Sequence, residues 1–314
     1  MKKSYLFLSL VLAVLVLSSC DGSNNNDTTR GNPYRGGTES LSISFEQGMP
    51  PRETFSDIPF DVSLRARNVG EYAIPSGALI VNLQGFDPSA YGKTVQYMTQ
   101  TSDRELLGTI YDVNRNLIQG DEEYFDFMSF EYQSDLTVTL SNVPIRATVW
   151  YPYGTYAESN LCIKRDSSRD RPGDVCNINE AKSLFVSSGP VQVASFEQAT
   201  RGSSSTSFSF RVVHRGTGEL YDPAVTFENH GDRDRNKVRV TLGGVDNIDN
   251  LVECSALGGG TSGTVTLTDA DGRLVTCTVD VSNVPSDYVQ RMNIELEYNY
   301  KQSITSTIDI KPSN

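Results

Sequence analysis

Phe60-Asp61-Val62-Ser63-Leu64-Arg65-Ala66-Arg67-Asn68-Val69-Gly70 is the stretch on which the reading of this chain turns. Phe60, Val62, Leu64 and Ala66 alternate with Asp61, Ser63, Arg65 and Arg67. Successive side chains of a strand point to opposite faces, so a period of two predicts a strand with one face on a core and the other in water. Gly70 follows where the strand must turn, and it is free to take positive φ there.

The same alternation recurs on both sides. Leu79, Val81 and Leu83 show it, as do Leu136, Val138 and Leu140, and then Ile145, Ala147 and Val149. Further on it returns in Phe208, Phe210 and Val212, in Val238, Val240 and Leu242, in Val275, Cys277, Val279 and Val281, and in Ile294, Leu296 and Tyr298. These strands are short and separated by Gly, Pro, Asn and Asp, a pattern that predicts an all-β chain built as β-sandwiches. Residues 100–112 are the one stretch with room for a helical turn or two.

The chain also repeats itself. Ser44-Phe45-Glu46-Gln47 returns as Ser195-Phe196-Glu197-Gln198, and Ser141-Asn142-Val143-Pro144 as Ser282-Asn283-Val284-Pro285. Between them, Leu64 to Gly70 corresponds to Phe210-Arg211-Val212-Val213-His214-Arg215-Gly216. After them, Tyr151-Pro152-Tyr153 corresponds to Tyr298-Asn299-Tyr300. Four landmarks in one order predict two tandem copies of a β-sandwich domain, 38–187 and 188–314. The first copy is longer, and its surplus is expected in residues 86–116.

The strand ending in Asn68-Val69-Gly70 resembles the opening of CARDB-like and other immunoglobulin-like adhesion modules of prokaryotic surface proteins. The second copy departs from that pattern with His214-Arg215-Gly216. The resemblance implies two tandem immunoglobulin-like sandwiches and a role in binding or spacing rather than catalysis.

The first residues carry a different message. Lys2 and Lys3 precede the uncharged, mostly apolar run Tyr5–Leu17, which is too short to span a bilayer but suits the core of a signal peptide. Leu17-Ser18-Ser19-Cys20 resembles the lipobox of prokaryotic lipoproteins. It implies a signal peptide over 1–19, acylation (palmitate among the acyl chains) and cleavage at Cys20, and a membrane partner held through lipid, facing the periplasm or the outside of the cell envelope. Residues 20–37 have no apolar periodicity and read as a tether.

Downstream of Cys20 remain Cys162, Cys176, Cys254 and Cys277. An even number in an exported chain predicts disulfides. Three connectivities exist, and the sequence-local pairs Cys162–Cys176 and Cys254–Cys277 are favoured. Zinc is the rival use of four cysteines, but no C-x-x-C spacing occurs and the chain has two histidines. The formal net charge of −12 argues against nucleic acid and against anionic lipid headgroups as partners.

Candidate chemistry is sparse. His214 and His230 sit in turn-like or surface contexts, and no G-x-S-x-G occurs. Asp121-Glu122-Glu123 reads as a solvated lead into a strand. Asp269-Ala270-Asp271-Gly272 and Asp246-Asn247-Ile248-Asp249-Asn250 are oxygen-rich; calcium is the one cofactor they suggest, although the first reads better as a hairpin turn. No catalytic residue and no metal site is assigned. The candidate ligand platform is Trp150 with Tyr151, Tyr153 and Tyr156. Alternation puts Val149 and Tyr151 inward and Trp150 outward, where an indole can stack on a sugar or fill a protein pocket. The expectation is a non-catalytic envelope lipoprotein with a structural or adhesion role and an unidentified protein or glycan partner. The alternative is a carbohydrate-binding lipoprotein.

Overall fold

A computed structural model describes residues 31–169, 171–244 and 251–313, so Cys20 and the loop 246–250 lie outside the described residues. The chain is all-β. Among the described residues the helical turns are short 3₁₀ segments such as Pro88–Tyr91 and Gln96–Met98. Residues 100–112 hold no helical turn; a strand ends at Thr101 and another begins at Ile110.

Each copy contributes one small sheet of its own. In the first copy Phe60–Asn68 lies between Leu41–Phe45 and Glu122–Phe130, all antiparallel. In the second, Ser205–His214 lies between Val191–Thr200 and Arg273–Asp280, and Val252–Cys254 extends the sheet. Alternation produces the expected burial: Val62, Leu64 and Ala66 are inaccessible to solvent, as are Phe210 and Val212.

The opposing layer is shared. Ile80–Gln84 of the first copy pairs with the 24-residue strand Leu140–Ile163, and Lys237–Gly243 of the second with the 24-residue strand Tyr288–Lys311. These two long strands pair with each other, antiparallel, from Tyr288 opposite Ile163 to Ile310 opposite Leu140. One nine-stranded sheet therefore runs across the expected boundary at 187/188. Each long strand also reaches into the other copy. The backbone of Cys162 exchanges hydrogen bonds of 2.9 and 2.8 Å with the side chain of Gln198, and Lys311 pairs in parallel with Phe55. The chain from Asn32 onward is one compact unit with a contiguous apolar core.

Both local disulfides form. Cys254 and Cys277 are direct cross-strand partners with Cα atoms 4.0 Å apart, and Cys162 reaches Cys176 across 5.6 Å. The turn Asp269–Gly272 closes tightly, with the Gly272 amide on the Asp269 carbonyl at 3.1 Å and Gly272 at φ +72°. It is not a hairpin. Ser262–Thr266 belongs to the large sheet and Arg273–Asp280 to the small one, so the turn carries the chain from one layer to the other. Alternation looks the same in either case, because it reports the buried face and not the neighbouring strand.

Candidate functional site

The proposed platform is split by the sheet. Tyr151 and Tyr153 face inward and are fully buried. They lie directly across from Tyr300 and Tyr298, so the repeated Tyr-x-Tyr motifs meet at the centre of the paired strands. Burial raises the pKa of all four hydroxyls, most of all those of Tyr151 and Tyr298.

Each hydroxyl is used internally. Tyr151 Oη meets Ser40 Oγ at 2.8 Å, and Tyr298 Oη meets Thr155 Oγ1 at 3.1 Å. The other two perform the same task in each copy. The Tyr72 amide donates to Tyr153 Oη at 3.3 Å, and the Gly218 amide to Tyr300 Oη at 2.7 Å. A Cβ at Gly70 would lie 1.9 Å from Tyr153 Oη, and one at Gly216 would lie 2.1 Å from Tyr300 Oη. Glycine is therefore required at both strand ends, where a Cβ would meet a hydroxyl from the facing layer and also, at Gly70, the Glu39 carbonyl at 2.7 Å and, at Gly216, Pro190 Cβ at 2.6 Å. Backbone freedom, the reason expected from sequence, is not the cause: neither residue has positive φ.

Asn68 explains the rest of that motif. Its fully buried amide donates to the carbonyls of Tyr72 at 2.7 Å and Leu106 at 3.1 Å, and its oxygen accepts from the Gly70 amide at 3.2 Å. His214 takes the equivalent place, with Nε2 3.3 Å from Tyr300 Oη, and burial lowers its pKa. His214 is thus a half-buried packing residue and not a surface one.

Trp150 does fall on the face opposite Val149 and Tyr151, but it is only 3% exposed. Its ring lies 4.9 Å from that of Tyr221, 4.5 Å from that of His230 and 6.3 Å from that of Phe227, all from the second copy. The expectation of an open tryptophan is corrected: a segment more than seventy residues away in sequence covers it. His230 belongs to that cover, and its Nδ1 lies 2.6 Å from the Phe227 carbonyl.

Tyr156 is the accessible member of the four, at 37%. It shares the outer face with Glu295, its direct cross-strand partner, and with Glu297, which pairs with Gly154. Gly154 leaves room for the Tyr72 ring, whose centroid is 5.6 Å from that of Tyr156. Tyr34 adds a third ring to this face, its hydroxyl donating to Glu158 Oε1 at 3.3 Å, and Arg291 pairs with Glu158. Burial first, then the neighbouring Glu297, raises the pKa of Glu295. Burial with Tyr156 and the two carboxylates pushes Tyr72 up to about 12. The result is a half-exposed surface of tyrosines bordered by carboxylates. Such a surface can stack against a sugar ring or accept a cationic side chain.

Asp121 and Glu123 act as local acceptors, Asp121 Oδ2 for the Leu107 amide at 3.1 Å and Glu123 Oε1 for the Asp103 amide at 2.8 Å. Within the segment closed by Cys162–Cys176, Lys164 is 2% exposed and its ammonium donates to Asp174 Oδ2 and to the Arg169 carbonyl, both at 2.6 Å. The hydrogen bond from Lys164 holds the Asp174 carboxyl below its usual range. Among the described residues no group of three or more His, Cys, Asp or Glu is placed to hold a metal ion.

No family model and no curated protein matches the chain. Among solved structures, it aligns at 7% identity with an Escherichia coli alpha-2-macroglobulin activated by porcine elastase, over 87% of this chain and 33% of that one, with a TM-score of 0.12. It aligns at 7% identity with the collagen adhesin of S. aureus, over 90% of this chain and 97% of that one, with a TM-score of 0.11. The chain spans about a third of the first of these proteins, and likeness at such scores carries no functional argument.

Proposed function

We propose that this chain is an envelope lipoprotein, acylated at Cys20, whose immunoglobulin-like copies serve a non-catalytic structural or adhesion role. The observation that carries the reading is the pairing of Leu140–Ile163 with Tyr288–Lys311. That pairing joins two small sandwiches into one block, a construction suited to holding a surface in place at the end of a tether. The two disulfides fit an exported, oxidising setting. Metabolic labelling with a clickable palmitate analogue should mark the wild type, and Cys20→Ala should lose the label and leave the membrane fraction. A chain that stays membrane-bound and unlabelled would refute the anchor. Cross-linking on living cells then identifies the partner.

A second reading, carbohydrate binding, is supported by the Tyr34, Tyr72 and Tyr156 face rather than by Trp150. Glycan-array binding that disappears in Tyr156→Ala, with folding intact, would favour it; binding that is absent in the wild type would dismiss it.

A further inference from the structure

The surplus of the first copy includes a two-stranded hairpin, Ile110–Tyr111 against Leu117–Ile118, that pairs with no other sheet. Its side chains are unusually apolar for their exposure. Val113 at the tip is 98% exposed, Leu107 55%, Ile110 56%, Ile118 48%, Leu117 38% and Tyr111 37%. Ile110 and Ile118 lie on one face of the hairpin and Tyr111 and Leu117 on the other, with Arg115 5.8 Å from the Tyr111 ring centroid. Exposed apolar residues are ordinary when scattered, but this many on one projection mark an interaction surface.

The hairpin is held in shape at both ends. At its tip Asp112 Oδ1 accepts from the Asn114 and Asn116 amides at 2.8 and 2.7 Å, while Oδ2 accepts from the Asn116 side chain at 3.0 Å. At its base Thr109 N donates to the Gly70 carbonyl at 2.6 Å, and Asp121 N to the Leu107 carbonyl at 3.0 Å. From Leu107 to Ile118 the charges are Asp112 and Arg115, so the projection is neutral on a chain of net charge −12.

Its position relative to the chain start indicates what covers it. Arg115 Nη1 donates to the Asn32 carbonyl at 2.7 Å, so the described chain begins beside the hairpin. Cys20 lies twelve residues before Asn32. Twelve residues reach at most about 40 Å at full extension, so in the anchored-lipoprotein reading Asn32, beside the hairpin, lies within about 40 Å of the bilayer.

We propose that the tip of this hairpin, centred on Val113 with Ile110, Tyr111, Leu117 and Ile118, docks into the headgroup–acyl boundary of the membrane that holds the lipid anchor. This rests on the anchored-lipoprotein reading. Two attachments, acyl chains and a shallow apolar wedge, would fix the orientation of the block as well as its distance from the bilayer. The neutral tip meets no repulsion from anionic headgroups, whereas the acidic remainder does.

The test uses the acylated protein in phosphatidylcholine vesicles, with Val113→Trp as a depth reporter and Val138→Trp as its control. Val138 is 69% exposed and lies two residues before the long strand, whose first residue Leu140 is about 43 Å along it from Tyr153. Native Trp150 is buried and contributes a constant background. The expected result is a blue shift of the Val113→Trp emission on vesicle binding and strong quenching by brominated lipid, with neither effect in Val138→Trp. A Val113→Trp emission that stays water-like while the protein remains vesicle-bound overturns the proposal. So does shielding on whole cells without quenching on vesicles, which would assign the hairpin to a protein partner. The mass of the N-terminal peptide reports acylation separately: no acyl group on Cys20 would remove the anchor reading, and this proposal with it.

Discussion

Replacing Trp150 by alanine tests the interlocked architecture with one substitution. The side chain is 3% exposed and sits between the first copy's long strand and the second copy's Tyr221, Phe227 and His230. A buried aromatic covers about 150–250 Å², and truncating Phe or Trp in a core costs about 3–5 kcal/mol. The resulting shift in melting temperature depends on how much of the chain unfolds together. For a cooperative unit of roughly 280 residues, the unfolding entropy near the midpoint is about 0.6 kcal/mol/K, and a loss of about 4 kcal/mol lowers Tm by roughly 7 °C. If one copy of roughly 140 residues melted alone, the same loss would lower its transition by about 14 °C and leave a second transition in place.

Calorimetry with far-ultraviolet circular dichroism distinguishes these outcomes, and a single shifted transition is expected. The wild type offers a second readout, because Trp150 is the only tryptophan. Its emission should be blue-shifted and poorly quenched by acrylamide until the whole chain unfolds. A loss below about 1 kcal/mol, which is the range of surface substitutions, or a split transition would refute the reasoning.

Three further outcomes follow from the geometry. Gly70→Ala should destabilise by about 1–3 kcal/mol as an overpacked site, and Tyr153→Phe in the same chain should recover part of that loss in a double-mutant cycle by urea unfolding. Glu295 has a folded pKa above its unfolded value, so its contribution to stability is complete below the unfolded pKa and is lost as pH rises through the folded one. Glu295→Gln should therefore gain Tm on the wild type at pH 7 and lose that advantage at pH 4, as read by thermal melts in the two buffers. Cys162→Ser with Cys176→Ser opens a loop of sequence separation 14 and should cost about 3 kcal/mol in the loop-entropy model, measured by chemical denaturation.

Alternation identified most strands and their buried faces, because burial on one side imposes a period of two whatever the partner strand, but it failed at Leu136 and Val138, which precede the strand beginning at Leu140, with Val138 69% exposed. It could not say which strands neighbour each other. Ser262–Thr266 and Arg273–Asp280 alternate like a hairpin and yet lie in opposite layers. Of the repeated landmarks, Ser44-Phe45 and Ser195-Phe196 fall in outer strands and the Tyr-x-Tyr motifs in the long paired strands, whereas Ser141–Pro144 lies within a strand and Ser282–Pro285 before one; the local disulfides were legible in cysteine spacing. Trp150 was misplaced because alternation gives the face of a residue, not what lies over that face. A signal was present: from Ala147 to Tyr151 no position on either face is charged, which is the composition of a strand covered on both sides. The hydroxyl-to-glycine contacts of Tyr153 with Gly70 and Tyr300 with Gly216 join residues more than eighty apart in sequence and left no local trace. Tyr72 and Gly154, which build the accessible tyrosine face, were missed for the same reason.

The register of the two long strands also has a local symmetry. Tyr151 faces Tyr300 and Tyr153 faces Tyr298, the arrangement that a local twofold axis through the Pro152–Asn299 pair produces. A solitary copy would present this self-complementary edge to its twin and close it isologously, as symmetric homodimers do. Within this one chain the two edges cover each other in that way, and among the described residues the projecting hairpin of the first copy has no second two-stranded sheet across the axis.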